Sequence, residues 1–287
     1  MTKPLTLLVV HAHPDDEVIT TGGTLARASD DGLHTVLVTC TRGEEGEIVI
    51  PALDTEENHL RLAELREMEL RCSIEILGIR SFYQLGYRDS GMAGNLANLH
   101  PASFHMADLD EATGRLVEIV RRERPEVLIS YNEQGGYGHP DHIKAHQITV
   151  AAFHTAGDPT RYPGLGEPWQ PSKLYYTSFR RSIWLKAWEM MRERGLKTPL
   201  DEPGFDPSRY VDDPRITTIV PIHGYIQRKL DALACHRTQI APTWPFFIIP
   251  EDLRQEFVGH EYFVLVESLV GFPSPGQIET DLFARLR

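Results

Sequence analysis

Apolar runs alternate with amphipathic stretches along the first half of the chain. Four apolar runs have the character of buried strands, namely LTLLVVH (5–11), HTVLVTC (34–40), FYQLG (82–86) and EVLISY (126–131). Helical periods lie between and after them, over residues 16–29, 56–77, 109–122 and 139–154. Apolar strands that alternate with helices are typical of a parallel sheet covered on both faces. The pattern therefore predicts an α/β fold.

Beyond residue 158 the pattern is looser. It predicts a strand KLYYTS (173–178), a helix over 182–194, a turn-rich stretch over 198–215, a strand RITTIVPI (215–222) and a helix GYIQRKLDALACH (224–236). A polar and aromatic tail follows. We therefore predict a Rossmann-like, three-layer core with a mainly parallel sheet over 1–177. A smaller C-terminal part over 178–287 is expected to complete the sheet and the rim of a cleft, within one continuous domain.

Charge and the N-terminal sequence argue against two classes of partner. Asp and Glu outnumber Lys and Arg by 41 to 29, which gives a net charge of -12, and no basic stripe long enough to follow a phosphate backbone is present. The first apolar run is only about six residues long and leads into acids, so it predicts neither a signal peptide nor a membrane span. Neither nucleic acid nor a membrane is an expected partner. The oligomeric state, a homo-oligomer included, stays open.

The number and spacing of the cysteines indicate the redox state of the compartment in which the protein is expected. Cys40, Cys72 and Cys235 are an odd number and form no CxxC pair. This pattern argues against a disulfide framework and against a thiolate zinc cluster. A reducing, cytoplasmic location is therefore expected.

Two of the predicted strands end in dense polar chemistry. The first leads into HAHPDDE, with His11, His13, Asp15, Asp16 and Glu17, and the fourth leads into YNEQGGYGHPDH, with Tyr137, His139, Asp141 and His142. In open α/β sheets, ligands bind beyond the carboxyl ends of the strands, where the strand order reverses. If these two strands are neighbours at that point, both clusters face one cleft.

The residue types in these clusters indicate a metal site. His13 and Asp16 are three apart at a predicted helix start, and His142 supplies a third ligand, which together give the three-ligand set of a catalytic zinc site. Asp15 is expected beside the metal as a general base. His139 and Tyr137 are expected to act on the oxyanion, and His139 alternatively on the leaving group. Such a site also accepts Fe²⁺.

Structural explanations exist for the same residues. An Asp-Asp-Glu triplet at a helix start often serves only as an N-cap with acids favoured by the helix dipole, and His11 alone is typical of a core histidine. A nucleotide-binding module with a structural ion is a further alternative. However, the first strand is followed by acids rather than by GxGxxG, and acids repel a pyrophosphate.

AHPDDE after the first strand and GGYGHPDH after the fourth resemble the PIG-L/LmbE-like family of zinc-dependent N-acetylglucosamine deacetylases. GYRDSGMAGN (86–95) and GYGHPDHIKAHQIT look like the branch of that family that deacetylates N-acetylglucosaminyl-inositol in mycothiol biosynthesis, whose sibling is the mycothiol-conjugate amidase. The resemblance implies a hydrolase that releases acetate and a free amine from a small amino-sugar conjugate. A conjugate amidase, or a deacetylase of another N-acetylglucosamine glycoside, is the alternative.

The resemblance also implies roles for individual residues. It makes His13, Asp16 and His142 the zinc ligands, Asp15 the general base, His139 the histidine that acts on the leaving amine or oxyanion, and Tyr137 a tyrosine that polarises the amide carbonyl. It further implies that Arg66 and Asp89 hold substrate hydroxyls. From the sequence alone, Arg66 could instead pair with Glu64 or Glu69 on a solvated helix face. The amidase branch tends to carry a lysine after DDE, where this chain has Val-Ile-Thr-Thr, which favours a deacetylase.

Overall fold

The computed structural model describes residues 3–287, so the first two residues of the predicted 1–177 core lie outside it. Within this range seven strands form one sheet: β1 (Thr6–His11), β2 (His34–Thr41), β3 (Ser81–Tyr87), β4 (Val127–Ser130), β5 (Lys173–Ser178), β6 (Thr218–Pro221) and β7 (His260–Ser268). The described helices are α1 (Asp16–Asp30), α2 (Glu56–Leu60), α3 (Leu62–Leu77), α4 (Leu109–Glu123), α5 (Gly135–Gly138), α6 (Pro140–Thr155), α7 (Arg181–Glu193), α8 (Ile226–Leu233), α9 (Pro245–Ile248) and α10 (Glu251–Phe257).

The strand order places the reversal where the sequence predicts it. The order is β3-β2-β1-β4-β5-β7-β6, with β1 to β5 parallel and β7 antiparallel to both β5 and β6. The chain leaves β1 towards β2 on one side, and β4 lies on the other side of β1. The carboxyl ends of β1 and β4 therefore flank the crevice at which ligands bind in this class of fold.

Alternate residues of the central strands pack into two separate cores. Leu7 and Val9 of β1 face one core, to which α1, α3 and α8 also contribute, whereas Leu8 and Val10 face the other, which α4 and α6 cover. This is the side-chain alternation of a strand buried on both faces. The predicted α/β, three-layer, mainly parallel fold is thus confirmed. The division into 1–177 and 178–287 stays a prediction, although β5, β7 and β6 join residues of both parts in one sheet.

The helix over 56–77 and the C-terminal tail differ from the sequence-based expectation. The predicted helix over 56–77 is interrupted at Arg61, whose φ of -113° and ψ of 13° separate α2 from α3; the helix end at Gly78, with φ of 74°, is as predicted. Helices α9 and α10 and the strand β7 lie in the tail, where the sequence analysis predicts no element, although the run YFVLV (262–266) of β7 is itself a local strand signal. Glu261 of β7 is buried, where it accepts hydrogen bonds from Lys229 and from two backbone N–H groups of α1.

The prediction that no disulfide forms is wrong. Cys72 of α3 and Cys235, just after α8, are bonded across 163 residues of chain, whereas Cys40 is buried and free. Cysteines so far apart give no sequence signal for pairing; the packing of α3 against α8 brings them together. The cysteine content therefore gives no support to a reducing compartment. Among residues 3–287, no helix is both long and apolar enough to cross a membrane.

Replacing both Cys72 and Cys235 with serine is expected to lower the free energy of unfolding by about 2–4 kcal/mol, because the cross-link restricts the unfolded chain. Urea unfolding of the double variant and of the oxidised wild type measures the difference. Replacing the buried, free Cys40 with serine tests a thiol outside the cross-link and serves as the comparison. Equal unfolding midpoints for the double variant and the wild type would show that the bond does not contribute.

Candidate active site

A cavity of about 1060 Å³ opens at the carboxyl ends of β1 and β4. The residues after β1 and those after β4 both line it, as expected if the two strands are neighbours. All eight residues predicted for the site are in its wall: His13, Asp15, Asp16, Arg66, Asp89, Tyr137, His139 and His142. The fold thus brings two motifs, separated by more than a hundred residues in sequence, to one place.

Three side chains converge at the base of the cavity. His13 Nδ1 lies 3.3 Å from His142 Nε2, and Asp16 Oδ2 lies 3.4 Å from each of these two nitrogens. All three side chains are buried. In a tetrahedral zinc site the ligand atoms are about 2.0–2.1 Å from the ion and therefore about 3.3–3.4 Å from one another. The trio His13, Asp16 and His142 has the spacing of three corners of such a site.

The hydrogen bonds of the two imidazoles fit the same arrangement. His13 Nε2 lies 3.2 Å from Asp141 Oδ2, and His142 Nδ1 lies 3.1 Å from the carbonyl oxygen of Gly135. Both partners are acceptors, so each ring donates from that nitrogen and keeps a lone pair on the nitrogen that faces the trio. Metal-bound histidines use their second nitrogen in this way. The donor set therefore fits a divalent ion.

Electrostatics favour positive charge at this point. Burial alone would lower the pKa of His13, but the carboxylates of Asp89, Asp141 and Asp16 raise it well above its usual value. Burial likewise would raise the pKa of Asp16, yet His142 and His13 hold it well below its ordinary range. The carboxylates around His13 thus stabilise a cation, which is the property that a metal site needs.

A second donor group lies close to the trio. His13, His139 and His142 each have one ring nitrogen within 4.8 Å of a ring nitrogen of the other two. Ligand atoms of His13, Asp89, His139 and Asp141 also lie within 4.8 Å of one another. His139 Nδ1 already accepts the backbone N–H of Asp141 at 3.2 Å and caps α6. The neutral His139 ring therefore carries its proton on Nε2. Burial, followed by the charges of His13 and His142, lowers the pKa of His139 to about 4.

Asp15 adopts an unusual backbone conformation beside the trio. Its φ of 111° is rare for a residue with a side chain; such a conformation costs of order 1–3 kcal/mol and persists only where the surroundings enforce it. The Asp15 side chain lines the cavity and accepts a hydrogen bond of 3.1 Å from Arg66. Burial raises the pKa of Asp15 to about 6, against the opposing effect of Arg66. A carboxyl group with such a pKa is suited to proton transfer near neutral pH.

Arg66 does not pair with Glu64 or Glu69. Its guanidinium is buried, donating to the carbonyl oxygens of Gly43 at 2.7 Å and Pro14 at 2.5 Å as well as to Asp15. A Cβ atom at Gly43, which has φ of 69°, would lie 2.3 Å from this guanidinium. The glycine is therefore required by the close approach of the loop to Arg66.

Asp89 and Tyr137 both line the cavity, Asp89 as a buried carboxylate and Tyr137 as an exposed ring. Asp89 is buried; its carboxylate accepts the N–H groups of Gly91 at 2.8 Å and Glu45 at 3.2 Å, and Oδ1 lies 3.5 Å from His13 Nε2. Burial would raise the pKa of Asp89, but the charge of His13 and its hydrogen bond hold it well below the usual range.

Tyr137 is 63% exposed, with its ring centroid 4.9 Å from that of His142. Its position on a glycine-rich turn leaves the ring accessible to a ligand.

Two supporting contacts were not predicted from the sequence. Tyr131 donates from its hydroxyl group to Asp16 Oδ2 at 2.8 Å, and Ser90 donates to Asp141 from both its hydroxyl and its N–H group. Tyr131 directly follows β4 within the strand motif, which is a signal that could have identified it. Ser90 lies in another loop, and only the fold shows that it contacts Asp141.

The wall of the cavity also includes residues from the last third of the chain. They come from the ends of β5 and α7, from the turn-rich stretch and from the segment after α8: Thr177, Ser178, Phe179, Arg181, Val211, Asp212, Asp213, Pro214, Arg215, Gln239, Ile240 and Trp244. Arg215 forms ion pairs with Glu133 and Asp213 at the rim. Sequence patterns did not identify these residues individually.

Relatives of the chain match along almost its full length. A Catenulispora acidiphila protein named 1D-myo-inositol 2-acetamido-2-deoxy-alpha-D-glucopyranoside deacetylase 1 is 42% identical over 296 residues, which cover 98% of this chain and 89% of the relative. A Geodermatophilus obscurus protein named as the corresponding deacetylase is 41% identical over 295 residues, which cover 100% and 99%.

Solved structures show the same fold at low sequence identity. N,N'-diacetylchitobiose deacetylase from Pyrococcus horikoshii has a TM-score of 0.63 at 22% identity, covering 94% of this chain and 87% of its own. A 4-carboxy-2-hydroxymuconate hydratase from a Pseudomonas has a TM-score of 0.64 at 21% identity, covering 94% and 99%. Because a hydratase shares the fold, the fold alone does not determine the reaction.

The family model described as PIG-L: GlcNAc-PI de-N-acetylase matches residues 8–153, which include both motifs and the trio. Together with relatives above 40% identity along the whole chain, this match confirms the resemblance indicated by AHPDDE and GGYGHPDH. The chain belongs to the PIG-L family of de-N-acetylases, enzymes that hydrolyse an amide.

Proposed function

We propose that this protein is a zinc-dependent deacetylase that hydrolyses the N-acetyl group of an N-acetylglucosaminyl conjugate, such as N-acetylglucosaminyl-inositol, to acetate and a free amine. The observation that carries the proposal is the trio His13, Asp16 and His142 with tetrahedral spacing and Asp15 beside it. The relatives are named as deacetylases of an inositol-linked amino sugar, and these names support the substrate class.

His13, Asp16 and His142 would hold the ion. A divalent ion bound there supplies a Lewis acid that polarises the amide carbonyl and makes water more acidic. Zinc fits the His and carboxylate donors and the tetrahedral spacing, while Fe²⁺ accepts the same donors. Tyr131 and Asp141 would orient Asp16 and His13 by the hydrogen bonds described above.

Asp15 would take the proton of the attacking water as general base. Its carboxylate is in the cavity wall, with a pKa of about 6, and Arg66 holds one of its oxygens in place. A base near neutrality combines a deprotonated resting state with useful basicity. Asp15 can then return the proton to the leaving amine or pass it to a neighbouring group.

His139 and Tyr137 would act on the oxygen and nitrogen atoms of the breaking amide. The proton on His139 Nε2 and the hydroxyl group of Tyr137 are donors at the cavity wall, and donors placed where negative charge develops stabilise the transition state. His139 would donate to the oxyanion or to the leaving amine, and Tyr137 would polarise the carbonyl.

Arg66 and Asp89 would position the sugar. Replacing Asp89 with asparagine is expected to raise KM by about 10- to 100-fold, because a hydrogen bond from a hydroxyl group to a charged acceptor contributes about 1.5–3 kcal/mol. Initial rates over a range of substrate concentrations measure this. Asp110, an exposed carboxylate paired with Arg161, provides the matched control as Asp110→Asn. An unchanged KM in Asp89→Asn would remove Asp89 from the substrate contacts.

The volume of the cavity supports a second candidate, an amidase that acts on a thiol conjugate with a bulkier acyl group. At about 1060 Å³ the cavity is slightly larger than the roughly 300–1,000 Å³ that is usual for small-molecule sites. The acyl group, not the amino sugar, distinguishes the two candidates.

Free-amine release from a matched pair of substrates tests the proposal. The pair consists of N-acetylglucosaminyl-inositol and the same glucosaminyl-inositol with a bulky N-acyl group. The proposal predicts a higher kcat/KM for the N-acetyl compound. A higher value for the bulky amide would identify an amidase, and no release from either would contradict amide hydrolysis of this class of sugar.

We also propose a cytoplasmic location, as the sequence predicts. Disulfides are rare in reducing compartments, so the Cys72–Cys235 bond does not support this location. Thiol trapping during lysis of the source cells, followed by fractionation, tests it. Recovery of the protein with cytoplasmic markers would support the location, and recovery with exported proteins would contradict it.

A further inference from the structure

A buried carboxylate next to the trio is not a member of the predicted site. Glu17 is fully buried, and its Oε2 accepts the backbone N–H of Asp15 at 2.9 Å. Asp15 is the residue with φ of 111°, a strained conformation that persists only where surrounding contacts enforce it. The helix α1 adds a second restraint, because the carbonyl oxygen of Asp15 accepts the N–H of Val18 at 3.0 Å.

Two other parts of the chain hold the second oxygen of Glu17. Ser73 of α3 donates to Glu17 Oε1 at 2.6 Å, and His236 Nε2 lies 2.8 Å from the same atom. Both partners are fully buried, which makes this a site where an unpaired charge would be costly. The carboxylate is thus fixed on one side by α3 and on the other by the segment after α8.

The disulfide joins these two sides. Cys72 directly precedes Ser73, and Cys235 directly precedes His236, so the cross-link lies one residue from each partner of Glu17. The donors on the two sides cannot move apart without breaking a covalent bond. An acid in the first turn of a helix is usually exposed to solvent and stabilised by the helix dipole alone. Glu17 is instead buried between two segments that a disulfide joins.

We propose that Glu17 is a positioning residue for Asp15: its carboxylate, held by Ser73 and His236, fixes the Asp15 backbone in the strained conformation that places the side chain of the base in the cavity. The inference rests on the proposed role of Asp15. Glu17 does not itself line the cavity, so it acts only through Asp15. Loss of the N–H acceptor would let the Asp15 backbone relax and its carboxylate move.

The test compares Glu17→Leu, which removes the acceptor, with Glu17→Gln, which keeps one acceptor oxygen. Both are assayed for kcat, KM, bound zinc and thermal stability. A displacement of about 1 Å in a catalytic group can cost on the order of a hundredfold in rate. We expect kcat to fall by at least about 10-fold in Glu17→Leu and less in Glu17→Gln, with KM and zinc content close to those of the wild type.

Thr238→Val provides the matched control. Thr238 donates from its N–H and hydroxyl groups to Glu69 of α3, at 2.7 Å each, and so joins the same two segments without contacting Glu17. This variant is expected to lose stability and keep its kcat. A purely structural role for Glu17 would lower the unfolding temperature of both Glu17 variants in the same way and leave kcat unchanged, which would overturn the proposal.

Two further outcomes are separable. If Glu17→Leu does not fold, Ser73→Ala decides: it removes the hydroxyl donor that holds Glu17 Oε1 and is expected to lower kcat several-fold at unchanged KM and zinc content, and a wild-type kcat in that variant overturns the inference. If kcat falls only in proportion to lost zinc, Glu17 acts on the metal ligands, and the role assigned here is wrong. A wild-type enzyme that releases no amine would instead contradict the proposed function, so the two failures are distinguishable.

Discussion

Replacing Asp15 with asparagine is expected to lower kcat by about 10²- to 10⁴-fold, the contribution that a positioned general base makes. The amide has nearly the shape of the carboxylate and can still accept the hydrogen bond from Arg66, but it cannot take a proton. Asp15 is outside the trio, so the zinc content is expected to stay that of the wild type. Turnover and bound zinc are measured on the same preparation.

Glu133→Gln is the control for this change. Glu133 is another carboxylate in the wall of the same cavity, and it pairs with Arg215 at the rim rather than contacting the trio. The substitution removes the same charge and is expected to alter kcat far less. Wild-type turnover in Asp15→Asn, with zinc bound, would show that Asp15 is not the base.

Replacing His142 with alanine is expected to abolish stoichiometric zinc binding. Loss of a partner around a metal ligand typically costs 10- to 100-fold in metal affinity, and loss of one of three ligands is expected to cost more than about 100-fold. His142 Nε2 contributes to two of the three distances that define the trio. Elemental analysis after dialysis against a weak chelator measures the bound metal.

His146→Ala is the matched control on the same helix. His146 lies one turn beyond His142 in α6, and its Nδ1 is 3.1 Å from the carbonyl oxygen of Tyr131, outside the trio. This variant is expected to keep its zinc. Equal zinc content in His142→Ala and the wild type would remove His142 from the ligand set and would favour another donor near His13, such as His139.

The convergence of His13, Asp16 and His142 can be predicted from the sequence because its signals are local. His13 and Asp16 are three residues apart at a helix start that follows an apolar strand, and His142 lies in a second such motif after another strand. The alternation of strands and helices predicts a parallel sheet, and the reversal of strand order then brings the two motifs together. These are patterns of short range combined with one general rule of topology.

The remaining features depend on contacts between distant segments. Arg66 has acidic neighbours on its own helix, yet it reaches Asp15 because α3 packs against α1 with the guanidinium directed inwards. The Cys72–Cys235 bond depends likewise on the packing of α3 against α8. Neither contact leaves a periodic signal in the sequence.

The strained backbone of Asp15 belongs to the same class of features. No pattern in HPDDE distinguishes an aspartate with φ of 111° from an ordinary helix cap, since both read as acids at a helix start. The hydrogen bonds from distant segments to Glu17 and Arg66 provide the restraint. This is consistent with the expectation that functional sites are where local sequence rules fail.

The most direct test of the central claim is acetate and free-amine release from N-acetylglucosaminyl-inositol before chelation, after chelation and after zinc is added back. If the protein is a zinc-dependent deacetylase, both products form in equal amounts, release stops in the chelated protein, and zinc restores it. Release that continues unchanged in a protein shown by elemental analysis to hold no metal would contradict the account.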